Sequence, residues 1–115
     1  PLTARRVFAA GDFFLIPSQY EPCGLTDYQA QLFGNLPIVH AVGGLVKVID
    51  GETGFSYPGS RSAALPDAMR RAMTLYRHEP KVIAHMQKRA LEVIKERYTW
   101  DRVVERYMAL YKQEM

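Results

Sequence analysis

The sequence predicts an α/β domain built on a thin parallel sheet, and three observations lead there. All eight glycines fall in residues 1–60 and none in residues 61–115, so a turn-rich half precedes a continuously helical one. Apolar residues of the first half come in short unbroken runs between Gly and Pro, as in strands buried on both faces. Those of the second half recur at helical spacing. Strand, helix, strand, turn, strand and then helices is the order of parallel connections.

Residues 3–10 read as the tail of a helix stopped by Gly11. Phe13–Ile16, closed by Pro17, suits a strand buried on both faces. Residues 18–24 form a loop. Leu25, Tyr28, Gln29, Leu32 and Phe33 share one helical face, and Gly34 closes that helix. Thr26-Asp27-Tyr28-Gln29 fits a capping box at its start. Residues 36–39 form a second strand, with Pro37 as its first residue or on an edge. Gly43-Gly44 makes a loop, and residues 45–49 suit either a helical turn or a strand. Asp50-Gly51 and Thr53-Gly54 are turn signals before a third strand at Phe55–Tyr57.

The helical segment, residues 61–115, carries three stripes. Leu65, Ala68, Met69, Ala72, Leu75 and Tyr76 form the first, with Pro66 tolerated in the opening turn. Pro80 ends it and can start the next, whose stripe is Ile83, Met86, Ala90, Val93 and Ile94. Thr99 is a good N-cap for the last, with Asp101 in its first turn. Trp100, Val103, Val104, Tyr107, Leu110 and Tyr111 form its stripe, read as facing the core, or in a whole enzyme as packing across domains. Three short strands make a small sheet, and the chain opens at Pro1 inside a helix. Residues 1–115 are therefore expected to be part of a larger domain, with an exposed sheet edge or apolar patch able to drive self-association.

Composition narrows the function classes. The 115 residues suit one domain or part of one, and 48% apolar with 23% charged residues is a globular balance. The single cysteine excludes an intrachain disulfide and a multi-cysteine zinc site, and His78 and His85 lack metal-ligand spacing. No metal is expected. No apolar run approaches bilayer length and no signal-peptide pattern opens the chain, so a cytoplasmic protein without a membrane partner is expected. The net charge of +3 divides into −2 over residues 1–60 and +5 over the rest, where it suits solvated helix faces. Without a basic-aromatic motif, no nucleic-acid partner is expected.

Chemistry concentrates in Pro17-Ser18-Gln19-Tyr20-Glu21-Pro22-Cys23-Gly24-Leu25-Thr26, between the first strand and the helix after it. Ligands of open α/β sheets bind at the carboxyl ends of strands. Amides opening a helix suit phosphate, Gly24 permits close backbone approach, and Glu21 can accept hydrogen bonds from sugar hydroxyls.

From Asp12 to Leu45 the sequence resembles the donor-binding domain of bacterial glycogen synthases and plant starch synthases. The matching pieces are Asp12-Phe13-Phe14-Leu15-Ile16-Pro17-Ser18, Tyr20-Glu21-Pro22-Cys23-Gly24-Leu25-Thr26, Gly34-Asn35-Leu36-Pro37-Ile38-Val39 and Val42-Gly43-Gly44-Leu45. Thr53-Gly54-Phe55 and Tyr98-Thr99-Trp100 follow the same pattern. The resemblance implies a Rossmann-like parallel sheet with flanking helices, the C-terminal part of the nucleotide-sugar-binding domain of a GT-B glycosyltransferase. It implies glucose transfer from ADP-glucose or UDP-glucose to the non-reducing end of an α-1,4-glucan, with retention and without metal or cofactor. The glucan acceptor would be held by a domain upstream of this chain, together with the diphosphate-binding Arg and Lys. The location implied is cytoplasmic in a bacterium and plastid in a plant.

By the same resemblance Glu21 takes the catalytic position and binds the donor glucose, while Cys23, Gly24, Leu25 and Thr26 meet the glucose and diphosphate through backbone N–H groups. Gln29 stands where many retaining GT-B enzymes carry a second Glu for the ribose, and its amide can still accept a hydroxyl. Capping is its competing role. Cys23 reads as a small packed residue rather than a nucleophile, and His40 as structural. After Gly43-Gly44-Leu45 the family has an acidic residue and Thr before Val, where this chain has Val46-Lys47-Val48. Two other functions compete. One is another retaining GT-B transferase, such as a sucrose-forming one, against which Cys23 and Gly43-Gly44-Leu45 stand. The other is a non-catalytic nucleotide-sugar-binding or interaction module, for which Gln29 and Lys47 speak.

Overall fold

The computed structural model describes residues 2–59 and 63–114. Pro1 and the expected start of the helical segment at residue 61 lie outside the described residues. In chain order the elements are α1 (Leu2–Ala10), β1 (Phe13–Ile16), α2 (Thr26–Leu32), β2 (Leu36–His40), a 3-10 helix (Gly43–Lys47), β3 (Phe55–Tyr57), α3 (Ala64–His78), α4 (Pro80–Arg97) and α5 (Trp100–Glu114). The three strands form one parallel sheet in the order β1-β2-β3. Phe13 pairs with Leu36 and Ile16 with Val39, while Ile38 pairs with Phe55 and His40 with Tyr57. The α/β expectation holds, and the open choice for residues 45–49 resolves into the 3-10 helix.

Alternation along the strands divides the core between the two faces of the sheet. On one face Leu36, Ile38, Phe55 and Tyr57 pack against Ala68, Ala72, Ile83 and Met86 of α3 and α4. Small alanines let α3 lie close to the sheet, while Met86 fills the space beside it. On the other face Ile16 and Val39 meet Leu45 and Val48, with Phe14 packed alongside. This second cluster seats the 3-10 helix at the carboxyl end of the strands.

Four expectations are corrected. Pro37 lies in the central strand, not at its first residue or on an edge. Pairing with β3 begins only at Ile38, so the missing Pro37 N–H deprives no ladder partner. β1 is half-buried rather than buried on both faces, and Leu15 is exposed, because β1 is an edge of this sheet. On α2 the buried residues are Asp27, Ala30 and Gln31, while Leu25, Leu32 and Phe33 face outward. Buried polar groups make that orientation possible: Gln31 Nε2 donates to the Thr53 carbonyl at 2.9 Å.

The fourth correction concerns α5. It has the expected apolar stripe but no buried residue, and Trp100 is 79% exposed. The helix projects from the end of α4, giving a radius of gyration of 15.6 Å against about 13 Å for a compact chain of this length. Its stripe faces no core within the described residues. Periodicity reports that a helix has an apolar face and does not say what covers it.

Candidate functional site

The loop between β1 and α2 is held in place by its own carboxylate and by two outside elements. Glu21 turns back on the loop: Ser18 Oγ donates to its Oε2 at 3.3 Å and the Gly24 N–H to its Oε1 at 3.2 Å. Gly24 has φ +75°, a left-handed conformation that suits glycine. Its position is also crowded, since an added Cβ would stand 3.0 Å from Leu45 Cδ2 and 3.2 Å from Lys47 Nζ.

From the loop after β2, Gly43 and Gly44 press on this backbone. The Gly44 N–H donates to the Glu21 carbonyl at 2.8 Å. A Cβ on Gly43 would lie 1.8 Å from the Glu21 carbonyl oxygen, and one on Gly44 1.7 Å from that of Cys23. The glycine pair is therefore a close-packed seat for residues 21–23, where its sequence alone reads as a turn. His40, the last residue of β2, adds a second tether. Its Nδ1 lies 2.7 Å from the Ser18 carbonyl, an acceptor, so Nδ1 carries the proton of that bond. The ring stacks on Tyr57 at 5.3 Å, which fits the structural reading of His40.

Lys47 closes the loop from beneath. Its ammonium donates to the Cys23 and Gly24 carbonyls, lies 3.4 Å from Asp27 Oδ1 and sits 4.2 Å from the centre of the Tyr28 ring. Asp27 is fully buried, and neither carboxylate oxygen has a hydrogen bond of good geometry. Burial raises the Asp27 carboxyl above the ordinary carboxylate range, opposed by the neighbouring Lys47 charge. Burial likewise pushes the Tyr28 hydroxyl up.

The expected capping box does not form. Leu25, not Thr26, is the N-cap residue, and no side chain caps the helix. The Leu25 carbonyl accepts from the Gln29 N–H at 3.1 Å, as a first helical bond requires. Among the described residues, no backbone or side-chain acceptor takes the Leu25 or Thr26 N–H.

The structure thus brings Glu21, Cys23, Gly24 and Leu25 onto one short loop at the carboxyl end of the sheet, with Thr26 opening α2 directly after it. Cys23 and Leu25 line a groove of about 360 Å³ with Tyr28, Tyr98, Trp100 and Val103. Gln29 is set apart and lines a different groove, of about 340 Å³, with Ala4, Arg5, Phe8 and Phe33. Ser18, His40 and Lys47 hold the loop but were not among the sequence-derived site residues. Lys47 was visible only as a departure from the family pattern, and a hydroxyl or imidazole aimed at a loop leaves no periodic signal. Among the described residues no group of three or more His, Cys, Asp and Glu gathers as a metal site, and no helix is long and apolar enough to cross a membrane.

The sequence model for glycosyl transferases group 1 matches residues 4–93. A glycogen synthase of Pseudomonas syringae pv. tomato is 41% identical over 110 residues, covering 95% of this chain and 22% of that protein. A glycogen synthase of Lactiplantibacillus plantarum is 40% identical over 97% of this chain and 24% of its own length. The chain therefore spans less than a quarter of these relatives. Among solved structures, the catalytic domain of starch synthase IV from Arabidopsis thaliana, bound to ADP and acarbose, superposes with a TM-score of 0.81. It shares 27% identity over 98% of this chain and 24% of its own. Sucrose-phosphate synthase from Thermosynechococcus elongatus follows with a TM-score of 0.74 and 30% identity over 93% of this chain and 26% of its own. The Rossmann-like α/β fold is that of GT-B glycosyltransferase domains.

Proposed function

The chain belongs to the glycosyl transferases group 1 family, and from that premise we propose that it is the C-terminal part of the nucleotide-sugar-binding domain of a glycogen or starch synthase. The whole enzyme transfers glucose from ADP-glucose or UDP-glucose to the non-reducing end of an α-1,4-glucan, with retention. Location in the bacterial cytoplasm, or in the plastid for a plant protein, belongs to the same reading.

One observation carries it. The Glu21 carboxylate and the Leu25 and Thr26 amides share a loop at the carboxyl end of a parallel sheet, and the backbone of that loop is fixed from outside by Gly44 and Lys47. In this proposal Glu21, the residue in the catalytic position, accepts hydrogen bonds from the glucose hydroxyls. The Gly24 N–H and Ser18 hydroxyl that it already holds keep its orientation set before the sugar arrives. The N–H groups of Cys23, Leu25 and Thr26 meet the glucose and diphosphate, while that of Gly24 holds the carboxylate beside them. Negative charge grows on the nucleoside diphosphate as the glycosidic bond breaks, and preorganised dipoles facing that charge stabilise the transition state, about 3 kcal/mol for one good donor. Gln29 keeps the proposed role of accepting a ribose hydroxyl, although it lines a separate groove with Ala4, Arg5, Phe8 and Phe33.

Calorimetric titration of the folded chain with ADP-glucose and UDP-glucose tests this. Binding of either supports the proposal, and binding of neither favours an interaction module that kept the fold. The 115-residue chain by itself is expected to transfer no glucose, because the acceptor wall of the cleft is not part of it and rate gain from proximity needs both substrates held together. Transfer by the chain alone contradicts that division of labour.

A further inference from the structure

Lys47 ends the 3-10 helix after β2, and its surroundings show what it does here. Its side chain is only 13% exposed although its neighbours Val46 and Gly43 face solvent. An ammonium has three N–H groups. The Cys23 carbonyl at 2.6 Å and the Gly24 carbonyl at 2.5 Å take two of them, and the Asp27 carboxylate at 3.4 Å stands beside the ammonium as its counter-charge. The charge is therefore engaged with the protein and not left over for a ligand phosphate.

The consequence lies in the peptide planes. A trans peptide carries its N–H opposite its C=O. Drawing the Cys23 and Gly24 carbonyls toward one ammonium fixes the planes on either side of Gly24, and so directs the Gly24 and Leu25 N–H groups away from Lys47. The Gly24 N–H goes to Glu21, and the Leu25 N–H has no acceptor among the described residues. Gly24, lacking a Cβ and at φ +75°, is the softest point of the loop and needs such an outside restraint. Asp27 supplies the buried counter-charge that keeps Lys47 in place, and the Tyr28 ring lies against the ammonium.

We infer that Lys47 is a positioning residue for donor binding: seated on Asp27, it clamps the two peptides around Gly24 so that their N–H groups are set before the donor arrives. For its consequence this rests on the donor reading above. For its structural core it needs no ligand.

The test uses the wild-type chain, Lys47→Met and the double variant Asp27→Asn/Lys47→Met. Lys47→Met alone leaves a buried unpaired carboxylate and can fail to fold. The double variant removes both charges and keeps the test decidable. In each folded protein, backbone ¹⁵N order parameters are measured without ligand, and ADP-glucose and UDP-glucose affinities by calorimetry. The expected result for the double variant is a fall at Gly24 and Leu25 from the rigid range near ~0.85 toward ~0.6, unchanged values in β2, and donor affinity weaker by roughly tenfold, the size of one charge-assisted hydrogen bond. Wild-type order parameters at both residues overturn the clamp. A loosened loop with unchanged donor affinity overturns its positioning role. Failure of the wild-type chain to bind either sugar nucleotide overturns the donor reading and the positioning role together, while the ligand-free order parameters still decide the clamp.

Discussion

The Gly44 N–H donates to the Glu21 carbonyl at 2.8 Å, and the same glycine has no room for a side chain because the Cys23 carbonyl occupies the place of its Cβ. Two loops at the carboxyl end of the sheet are therefore locked backbone to backbone.

Gly44→Ala is expected to destabilise the chain by about 2 kcal/mol or more, since the obstacle is main chain and cannot swing aside. Gly51→Ala meets open space and strains only a positive φ, at a cost of about 1 kcal/mol. Denaturant unfolding of the two variants measures the difference, and equal losses contradict the close-packed seat.

Glu21→Ala is expected to leave the fold within about 1 kcal/mol of wild type, since its side chain is half-buried on a loop. It is expected to weaken sugar-nucleotide binding roughly a hundredfold, because the hydroxyl contacts proposed for the carboxylate go with it. Retained affinity in the alanine variant separates Glu21 from the donor site.

Two aspartates respond to pH with opposite sign. Burial raises the Asp27 carboxyl, so the folded state holds that proton more tightly than the unfolded one. Stability from this group is full below the unfolded value of 3.8 and is lost as pH rises through the raised folded value. Asp50 is lowered: burial raises it, but the Arg71 hydrogen bonds, the Ser56 N–H and the Arg71 charge outweigh that. Its contribution is present above 3.8 and fades as pH falls through the lowered value. This pair is half-exposed and worth under about 1 kcal/mol. Melting curves between about pH 3 and 6 for Asp27→Asn and Asp50→Asn should move in opposite directions relative to wild type. Parallel changes contradict the assignment.

Trp100→Ser and Tyr111→Ser should each change chain stability by less than about 0.5 kcal/mol, as both face solvent. Met86→Ala, from the core, should cost about 2–5 kcal/mol. Sedimentation of the wild type and the serine variants reports whether the uncovered stripe of α5 drives self-association. A large destabilisation by the serine substitutions contradicts the exposed placement of α5.

What was legible in the sequence follows from the range of each interaction. Short apolar runs and glycine punctuation report local conformation, so the strands, the start of α4 at Pro80, the place of Pro66 in the opening turn of α3 and the loop of residues 18–24 could be read directly. The outward stripes of α2 and α5 could not, because a periodic pattern does not name its partner. The burial of Asp27, which enters the sequence reading only within the capping-box tetrapeptide, leaves no sign there, since nothing in its neighbourhood announces a lysine from another loop. Motif text brought Glu21, Cys23, Gly24, Leu25 and Thr26 together, while the tethers from Ser18 and His40 and the seat of Lys47 exist only once the strands are paired.

The most direct measurement is an amide-resolved titration of the ¹⁵N-labelled chain with ADP-glucose and UDP-glucose. Saturable shifts are expected for at least one of them, centred on Glu21, Gly24, Leu25 and Thr26 and abolished by Glu21→Ala. Saturable shifts centred instead on the groove between β3 and α3, around Tyr57 and Arg71, or none at all from a folded chain, would contradict it.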